Sequence, residues 1–225
     1  VFGTFAHHVL ECTVRDVMEQ GGFHAVPRET VLRIAARHMD EYAKNFMSAA
    51  QQTDERCDYL FRRNREEVLG IVGNVADELR VSRFVPCDEE LAFSDNGKLP
   101  PVIVETPDGQ AVLSGFVDRV DTLDTPDGGY FRVIDYKTGH KEFDYTDLLC
   151  GQGLQMLLYL FAIERSKGSH EAAGRKPAGV LYVPGRVDVV SLEPGAGEAA
   201  LSKKRQRRRN KPMCMICERI RAIKN

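Results

Sequence analysis

The segment from Gly115 to Lys137 constrains the fold of this chain more than any other stretch. Two apolar segments of strand type, G-F-V-D-R-V-D and F-R-V-I-D-Y-K, flank the turn-forming run T-P-D-G-G. Strand-type segments on either side of an Asp-Gly turn are typical of a β-hairpin. We therefore expect a hairpin here, with the remaining elements organised around it.

Three charged side chains of this hairpin predict a chemical site. Asp118 lies in the first strand, and Asp135 and Lys137 lie near the end of the second. Because side chains alternate faces along a strand, Asp135 and Lys137 should point the same way, with Tyr136 opposite. Carboxylates supply hard oxygen ligands for Mg²⁺, and an ammonium can meet an anionic oxygen or a metal-bound water. The pattern therefore suits a divalent cation beside a phosphate.

A surface ion pair is the alternative interpretation of the same residues, since a D-x-K triplet is common in strands. Two features favour the functional interpretation. Val133 and Ile134 make the second strand apolar just before Asp135, so this strand should emerge from a buried core. Gly115 stands three residues before Asp118, where the backbone could pass close to a ligand.

The order of these residues resembles a known signature. Asp118 followed 17 positions later by Asp135-Tyr136-Lys137 resembles the PD-(D/E)xK nucleases, and the surrounding sequence is similar to their RecB-type branch. The resemblance implies an α/β (α+β) fold, with a restriction-endonuclease-like mixed sheet flanked by helices and an N-terminal helical segment. It also implies that both acids and the backbone carbonyl of Tyr136 bind catalytic Mg²⁺ or Mn²⁺, and that Lys137 positions or activates the attacking water.

An amphipathic helix is predicted over residues 3–20, where apolar residues recur at helical spacing before Gly21-Gly22. By themselves, His7 and His8 on this helix could be surface or core histidines. The pattern G-T-x-x-H-x-x-L-E, however, resembles the first helix of RecB-type nucleases, where the histidine joins the two aspartates on the metal. The resemblance implies this role for His7, with His8 as the second candidate. A neutral imidazole can ligate Mn²⁺ or Mg²⁺ when carboxylates supply most of the charge.

A further helix is predicted at about 147–166, and on it Gln155 and Tyr159 lie four residues apart on one face. Such a pair could be only a polar stripe on an amphipathic helix. In this order, 18 residues after Lys137, it resembles the Q-x-x-x-Y motif of RecB-type nucleases. The resemblance adds both residues to the catalytic set: Gln155 would orient the groups around the metal, and Tyr159 would bond a phosphate oxygen next to the scissile one.

The remaining periodicity predicts two long helices followed by short strands. The helices cover about 27–50 and 54–81, and the strands cover 84–93, 102–104, 180–183 and 187–190. Repeated Asp-Gly turns predict an antiparallel meander, whereas the strand at 180–183 should run parallel to its neighbour after a crossover helix. We divide the chain into a helical part (1–82) that carries the metal histidine, a nuclease core (83–194) and a basic, cysteine-containing tail (195–225).

The composition is that of an ordinary soluble domain, with 28% charged and 43% hydrophobic residues in a chain of 225. No run reaches the roughly 18 apolar residues of a membrane helix, and no secretion signal opens the chain, so we expect a cytoplasmic protein without a membrane partner. Positive charge is concentrated in K-K-R-Q-R-R-R-N-K, within a chain of net charge −2. The candidate DNA-binding residues in this run are Lys203, Lys204, Arg205, Arg207, Arg208 and Arg209.

Six cysteines in a chain without a secretion signal favour reduced thiols or metal ligands over disulfides. We expect those at positions 12, 57, 87 and 150 to fill the core. Cys214 and Cys217 resemble part of an iron–sulfur staple, in which a C-x-x-C-x₅-C pattern follows the domain and one cysteine precedes it. The third position is Ile223 and no cysteine precedes Gly3, so a 4Fe–4S cluster would belong to the full-length protein and be incomplete or absent here. Truncation, missing residues and a real loss of the cluster remain as explanations.

The phrases G-T-x-x-H-x-x-L-E, G-F-V-D-R-V-D and L-Q-M-L-L-Y together most resemble the C-terminal nuclease domain of AddB-type proteins, called RexB in some bacteria. The resemblance implies a metal-dependent DNA exonuclease domain of a helicase–nuclease that processes double-strand breaks for recombinational repair. Its partners would be DNA, as a single strand or duplex end, and a helicase subunit of AddA type. Two alternatives stay open: a stand-alone RecB-type exonuclease of CRISPR-associated or phage kind, and a non-catalytic DNA-end-binding module of the same fold.

Overall fold

The computed structural model describes residues 2–50, 55–137, 150, 153–166 and 170–184. The elements within them are α1 (Phe2–Glu19), α2 (Arg28–Ala50), α3 (Glu55–Val81), β1 (Val85–Phe93), β2 (Val102–Thr106), β3 (Gly109–Leu113), β4 (Gly115–Thr125), β5 (Gly128–Lys137), α4 (Gln155–Arg165) and β6 (Lys176–Pro184). Their order and type confirm the predicted α/β class and the N-terminal helical segment. In the part of the chain just given, no helix is both long and apolar enough to cross a lipid bilayer.

Four strands form a mixed sheet in the order β1-β4-β5-β6. β4 and β5 are the predicted hairpin, paired antiparallel around a turn at Pro126-Asp127. β1 lies antiparallel on the other side of β4, and β6 lies parallel to β5. The parallel strand confirms the expectation for residues 180–183. β5 is therefore an interior strand, with a neighbour on each side.

The three N-terminal helices pack on one face of this sheet. Their apolar stripes form one core, to which the sheet contributes Ile134 and Tyr136 of β5. Val9 of α1 and Val31 of α2 are fully buried in this core. Burying a valine or leucine side chain stabilises a fold by about 1.5–3 kcal/mol. The core therefore holds α1 firmly against the end of β5.

α4 covers the opposite face of the sheet. Its buried residues share a cluster with Val117 of β4 and Val133 of β5. Because successive side chains of a strand face opposite sides, Asp135 and Lys137 lie on the α4 side, as Val133 does. Tyr136 lies on the side of α1. The alternation predicted for these residues is thus confirmed.

The strands before the hairpin do not form the predicted meander. β2 and β3 pair only with each other, as a separate two-stranded sheet, and β1 pairs with β4. The prediction was wrong because local turn residues indicate where a hairpin forms, and not which distant strand it meets. The β2–β3 hairpin is an insertion between β1 and β4, and every residue of β3 is exposed.

α4 begins at Gln155, later than the predicted start near residue 147. Cys150 lies in a turn, and Gly153 has a φ of +70°, a left-handed conformation that an α-helix does not contain. Cys150 is also exposed, so its prediction as a core residue was wrong, because it lies in that turn and not on a helix face. Cys12 is buried and Cys87 is half-buried, and both are free thiols.

Candidate active site

The candidate site forms where β4 leaves its pairing with β5. The antiparallel ladder ends where Arg119 lies opposite Ile134. Beyond that pair, Oδ2 of Asp118 accepts the backbone N–H of Tyr136 at 2.6 Å, in the role that a backbone carbonyl would have in a continued ladder. The carboxylate of Asp118 therefore lies between the two strands, within reach of groups from both faces of the sheet.

His7 of α1 approaches this carboxylate from the helical layer. Its Nε2 lies 2.8 Å from the backbone carbonyl of Tyr136, and its Nδ1 lies 3.4 Å from Oδ1 of Asp118. Nε2 donates to the carbonyl, which leaves Nδ1 facing the carboxylate. The hydrogen bond to Asp118 raises the pKa of His7, and burial opposes this only in part.

Glu90 of β1 is the third member of the cluster, and sequence reasoning missed it. One possible ligand atom each from His7, Glu90 and Asp118 lies within 4.8 Å of the other two. Burial raises the pKa of Glu90, and the charge of Asp118 raises it further. Glu90 has a φ of +48°, and no other non-glycine residue of the described ranges has a positive φ. Such a conformation costs an L-residue on the order of 1–3 kcal/mol.

The unusual backbone at Glu90 accompanies a shift in side-chain alternation. Val117 and Val120 both pack in the α4 cluster although they are three residues apart. The shift lies at Asp118 and, on the facing strand, at Glu90. It turns both carboxylates towards the part of α1 that carries His7. The shift depends on pairing between β1 and β4, so no local pattern in the sequence indicates it.

Asp135 and Lys137 form an ion pair at the end of β5. Nζ of Lys137 lies 2.9 Å from Oδ1 and 2.7 Å from Oδ2 of Asp135, but only the contact with Oδ1 has hydrogen-bond geometry. Oδ2 is buried and accepts no hydrogen bond. Burial raises the pKa of Asp135, and Lys137 lowers it in part. A bound cation would satisfy such an oxygen, which is costly to bury unpaired.

A buried ion network supports Tyr136 from the helical side. Arg119 donates to the hydroxyl of Tyr136 at 2.6 Å and to Asp121 at 2.7 Å. Arg132 donates to the same carboxylate at 2.8 Å. Burial raises the pKa of Asp121, but the two arginines outweigh this and hold the pKa below its usual range. The network fixes the side chain of Tyr136 and, with it, the backbone groups that contact the site.

The match to a family profile now adds to this geometry. The profile of the PD-(D/E)XK nuclease superfamily matches residues 1–221. The chain belongs to this superfamily. Membership confirms the predicted resemblance, and the mixed sheet with helices on both faces is the restriction-endonuclease-like fold that the resemblance implied.

Similar curated proteins are named as one of the subunits of an ATP-dependent helicase/deoxyribonuclease. The protein of Acetivibrio thermocellus is 34% identical over 182 residues, that of Clostridium novyi 32% over 188 residues, and that of Alkaliphilus oremlandii 30% over 182 residues. Each match covers 80% of this chain and 16% of the relative. The chain thus spans only a small part of the length of these relatives.

In this PD-(D/E)XK nuclease, Gln155 and Tyr159 lie on the α4 side of β4. Nε2 of Gln155 donates to the hydroxyl of Tyr159 at 3.0 Å, and that hydroxyl donates to the carbonyl of Ser114 at 3.4 Å. The ring of Tyr159 is only 1% exposed and stacks on Phe93, with centroids 4.6 Å apart. Both side chains therefore contact the start of β4. A contact between Tyr159 and a phosphate stays a prediction.

His8 does not join the nuclease cluster. It is exposed, and it lies with Glu11 and Cys12 on another part of α1, its Nε2 3.8 Å from Sγ of Cys12. The structure thus places His7, and not His8, beside Asp118.

Some predicted features lie outside the described residues. They are the iron–sulfur candidates Cys214 and Cys217, the DNA-binding candidates Lys203, Lys204, Arg205, Arg207, Arg208 and Arg209, the side chain of Cys57, and the strand at 187–190. The division of the chain after residues 82 and 194 stays a prediction as well.

Proposed function

We propose that this chain hydrolyses phosphodiester bonds of DNA with the help of a divalent cation. The observation that carries the proposal is the cluster of His7, Glu90 and Asp118, with Asp135 and Lys137 beside it. Membership of a nuclease superfamily supports the reaction, and the deoxyribonuclease names of the relatives support DNA as the substrate.

The donor set suits Mg²⁺ or Mn²⁺. Glu90, Asp118 and Asp135 supply hard carboxylate oxygens, and the backbone carbonyl of Tyr136 lies next to them. His7 adds an imidazole nitrogen, which Mn²⁺ accepts readily. The buried Oδ2 of Asp135 has no hydrogen-bond partner, so these residues fit a cation. When bound, the cation would polarise the phosphate and lower the pKa of a water molecule.

The side chains of the chain orient the reactants around this position. Asp118 is held by the N–H of Tyr136 and by His7, so its orientation is set before substrate arrives. Lys137 is half-exposed, and its ammonium can contact both Asp135 and an anionic oxygen of the phosphate. There it would stabilise the negative charge that develops on the phosphate oxygens, and it would orient the water that attacks.

We infer further that the domain works within a larger helicase–nuclease. The support is the set of relatives that are named as one component of an ATP-dependent helicase/deoxyribonuclease. Such a name implies at least one other component, for which a helicase of AddA type is the proposed partner. Single strands or duplex ends would then be the substrate, and the processing of double-strand breaks for recombinational repair would be the setting.

The test is cleavage of end-labelled DNA by the 225-residue chain. Single-stranded and duplex substrates should be cut in Mg²⁺ or Mn²⁺ and left intact when a chelator is present. Asp118→Asn and Lys137→Ala should each slow cleavage by roughly 100-fold or more. Asp124→Asn is the matched control, because Asp124 is a 79% exposed aspartate of the same strand.

DNA binding without cleavage in either cation would contradict the proposal. It would indicate a non-catalytic module that binds DNA ends. Wild-type rates for Asp118→Asn or Lys137→Ala would contradict it as well, because the chemistry would then lie elsewhere.

A further inference from the structure

Phe116 is a large apolar side chain exposed next to the carboxylate cluster. It is 60% exposed, although most residues of β4 from Val117 to Leu123 are buried. Its exposure forgoes the stabilisation that burial of a phenylalanine contributes. Single exposed apolar residues are ordinary on protein surfaces, so the position of this one, and not its exposure alone, carries the inference.

Phe116 lies on the same side of the sheet as Asp118. Val117, between them, packs in the α4 cluster. Because neighbouring side chains of a strand point to opposite faces, Phe116 projects on the side of α1, about 7 Å along the strand from Asp118. Its cross-strand partner is Ala92, whose small side chain does not cover an aromatic ring.

We propose that Phe116 is a stacking platform for one base of a DNA single strand whose phosphate lies at the cluster of His7, Glu90 and Asp118. This inference rests on the proposed function and adds a binding contact to the same site. A separation of about 7 Å corresponds to one or two nucleotide steps along a strand. Stacking accepts every base, because every base has a π-face. Phe116 therefore holds the strand without selecting a sequence.

The surroundings of Phe116 favour a nucleobase over an apolar protein surface. Its neighbours on this face are the carboxylates of Asp118 and Glu90, whereas the exposed apolar pair Ile103 and Val112 lies apart on the β2–β3 hairpin. Carboxylates repel DNA phosphates when no cation is bound. An uncharged contact with a base beside them supplies affinity that this repulsion does not cancel.

The first test separates binding from chemistry in steady-state cleavage of short single-stranded oligonucleotides. Phe116→Ala should raise KM by roughly 5- to 150-fold and leave kcat within about three-fold of wild type. Phe116→Leu keeps an apolar side chain but lacks a π-face, so it should behave like Phe116→Ala. Phe116→Tyr should behave like wild type. Phe161→Ala is the matched control, since Phe161 is a 46% exposed phenylalanine of α4, on the other face.

The second test uses the fact that the sequence contains no tryptophan. Phe116→Trp introduces a single indole, whose fluorescence should be quenched when an oligonucleotide binds in Ca²⁺. An oligonucleotide with abasic sites keeps the phosphates and lacks the bases, so it should cause no quenching. Phe161→Trp should show no quenching with either strand.

These results distinguish the stacking contact from the proposed function. If wild type cleaves DNA and Phe116→Ala has an unchanged KM, or Phe116→Trp is not quenched, the stacking contact is wrong and the nuclease assignment stands. An equal loss of affinity for intact and abasic strands on Phe116→Ala also overturns it, and indicates a structural role or a protein partner. If wild type cleaves nothing, the nuclease assignment is wrong, and the fluorescence result alone supports or overturns the stacking contact.

Discussion

The hydroxyl of Tyr159 lies where the Cβ of any residue other than glycine would project from position 115: the two centres would be 1.9 Å apart. α4 and β4 therefore approach each other through a stretch of backbone without a side chain. Gly115 begins the strand that carries Asp118, so this contact determines how the strand enters the site. The role is structural, and it complements the role in metal orientation that the Q-x-x-x-Y pattern predicts.

Gly115→Ala should lower the free energy of unfolding by about 1–3 kcal/mol, because the added methyl group overlaps the Tyr159 hydroxyl. Equilibrium unfolding in urea measures the loss. Tyr159→Phe removes the hydroxyl, so the double variant should be more stable than the sum of the two single losses predicts. Strictly additive losses would show that the two positions do not interact.

Lys137→Ala should move metal binding to higher pH. Burial raises the pKa of Asp135 and Lys137 lowers it in part, so loss of the ammonium leaves the pKa of Asp135 higher still. A protonated carboxyl is a poor cation ligand, so the variant needs a more alkaline solution for the same Mn²⁺ affinity. Calorimetric titrations at several pH values measure the shift. The control is Lys176→Ala, at an exposed lysine of β6, and a wild-type profile for Lys137→Ala would count against the pairing.

Glu90→Gly should separate folding from metal binding. Glycine adopts a φ of +48° without the strain of about 1–3 kcal/mol that glutamate bears, which offsets its entropic cost of about 0.5–1 kcal/mol. We expect a free energy of unfolding at or above that of wild type, and a Mn²⁺ affinity lowered roughly 10- to 100-fold. The same change at Glu89, where φ is not positive, should lower stability. Unchanged Mn²⁺ affinity in Glu90→Gly would exclude Glu90 from the metal site.

Asp121→Asn should destabilise the fold by about 3–5 kcal/mol, because it leaves Arg119 and Arg132 buried without their carboxylate. The pKa of Asp121 is lowered in the folded state, so its stabilising effect is present above the usual aspartate pKa of about 4. That effect is lost as the pH falls through the lowered pKa. Urea unfolding across acidic pH should therefore show a shallower loss for Asp121→Asn than for wild type. Asp124→Asn, at an exposed position, should change stability by less than about 1 kcal/mol.

Local patterns predicted the part of the site that β4 and β5 carry. Alternation along a strand placed Asp135 and Lys137 on one face, and the turn residues placed Asp118 on the neighbouring strand. His7 required the resemblance as well, since a histidine on an amphipathic helix has several ordinary roles. The three helices and the parallel strand were predictable because their apolar spacing is regular.

Contacts between distant segments set the remainder. Glu90 reaches the cluster through a positive φ and through the pairing of β1 with β4, and neither has a signature within a short window of sequence. The late start of α4 depends on the left-handed Gly153. A glycine there was visible in the sequence, but its conformation was not.

The hydrogen bond between His7 and the carbonyl of Tyr136 joins residues that are 129 positions apart in the chain. Contacts of such long range carry a large loop-closure cost and belong to slow steps of folding. Until α1 docks on the sheet, the cluster lacks its imidazole and the carbonyl lacks its donor. On the proposed function, the ability to cut DNA arrives only with the completed tertiary structure. A half-made or heat-damaged copy is then a blunt tool, and its fold serves as a safety catch for the genome around it.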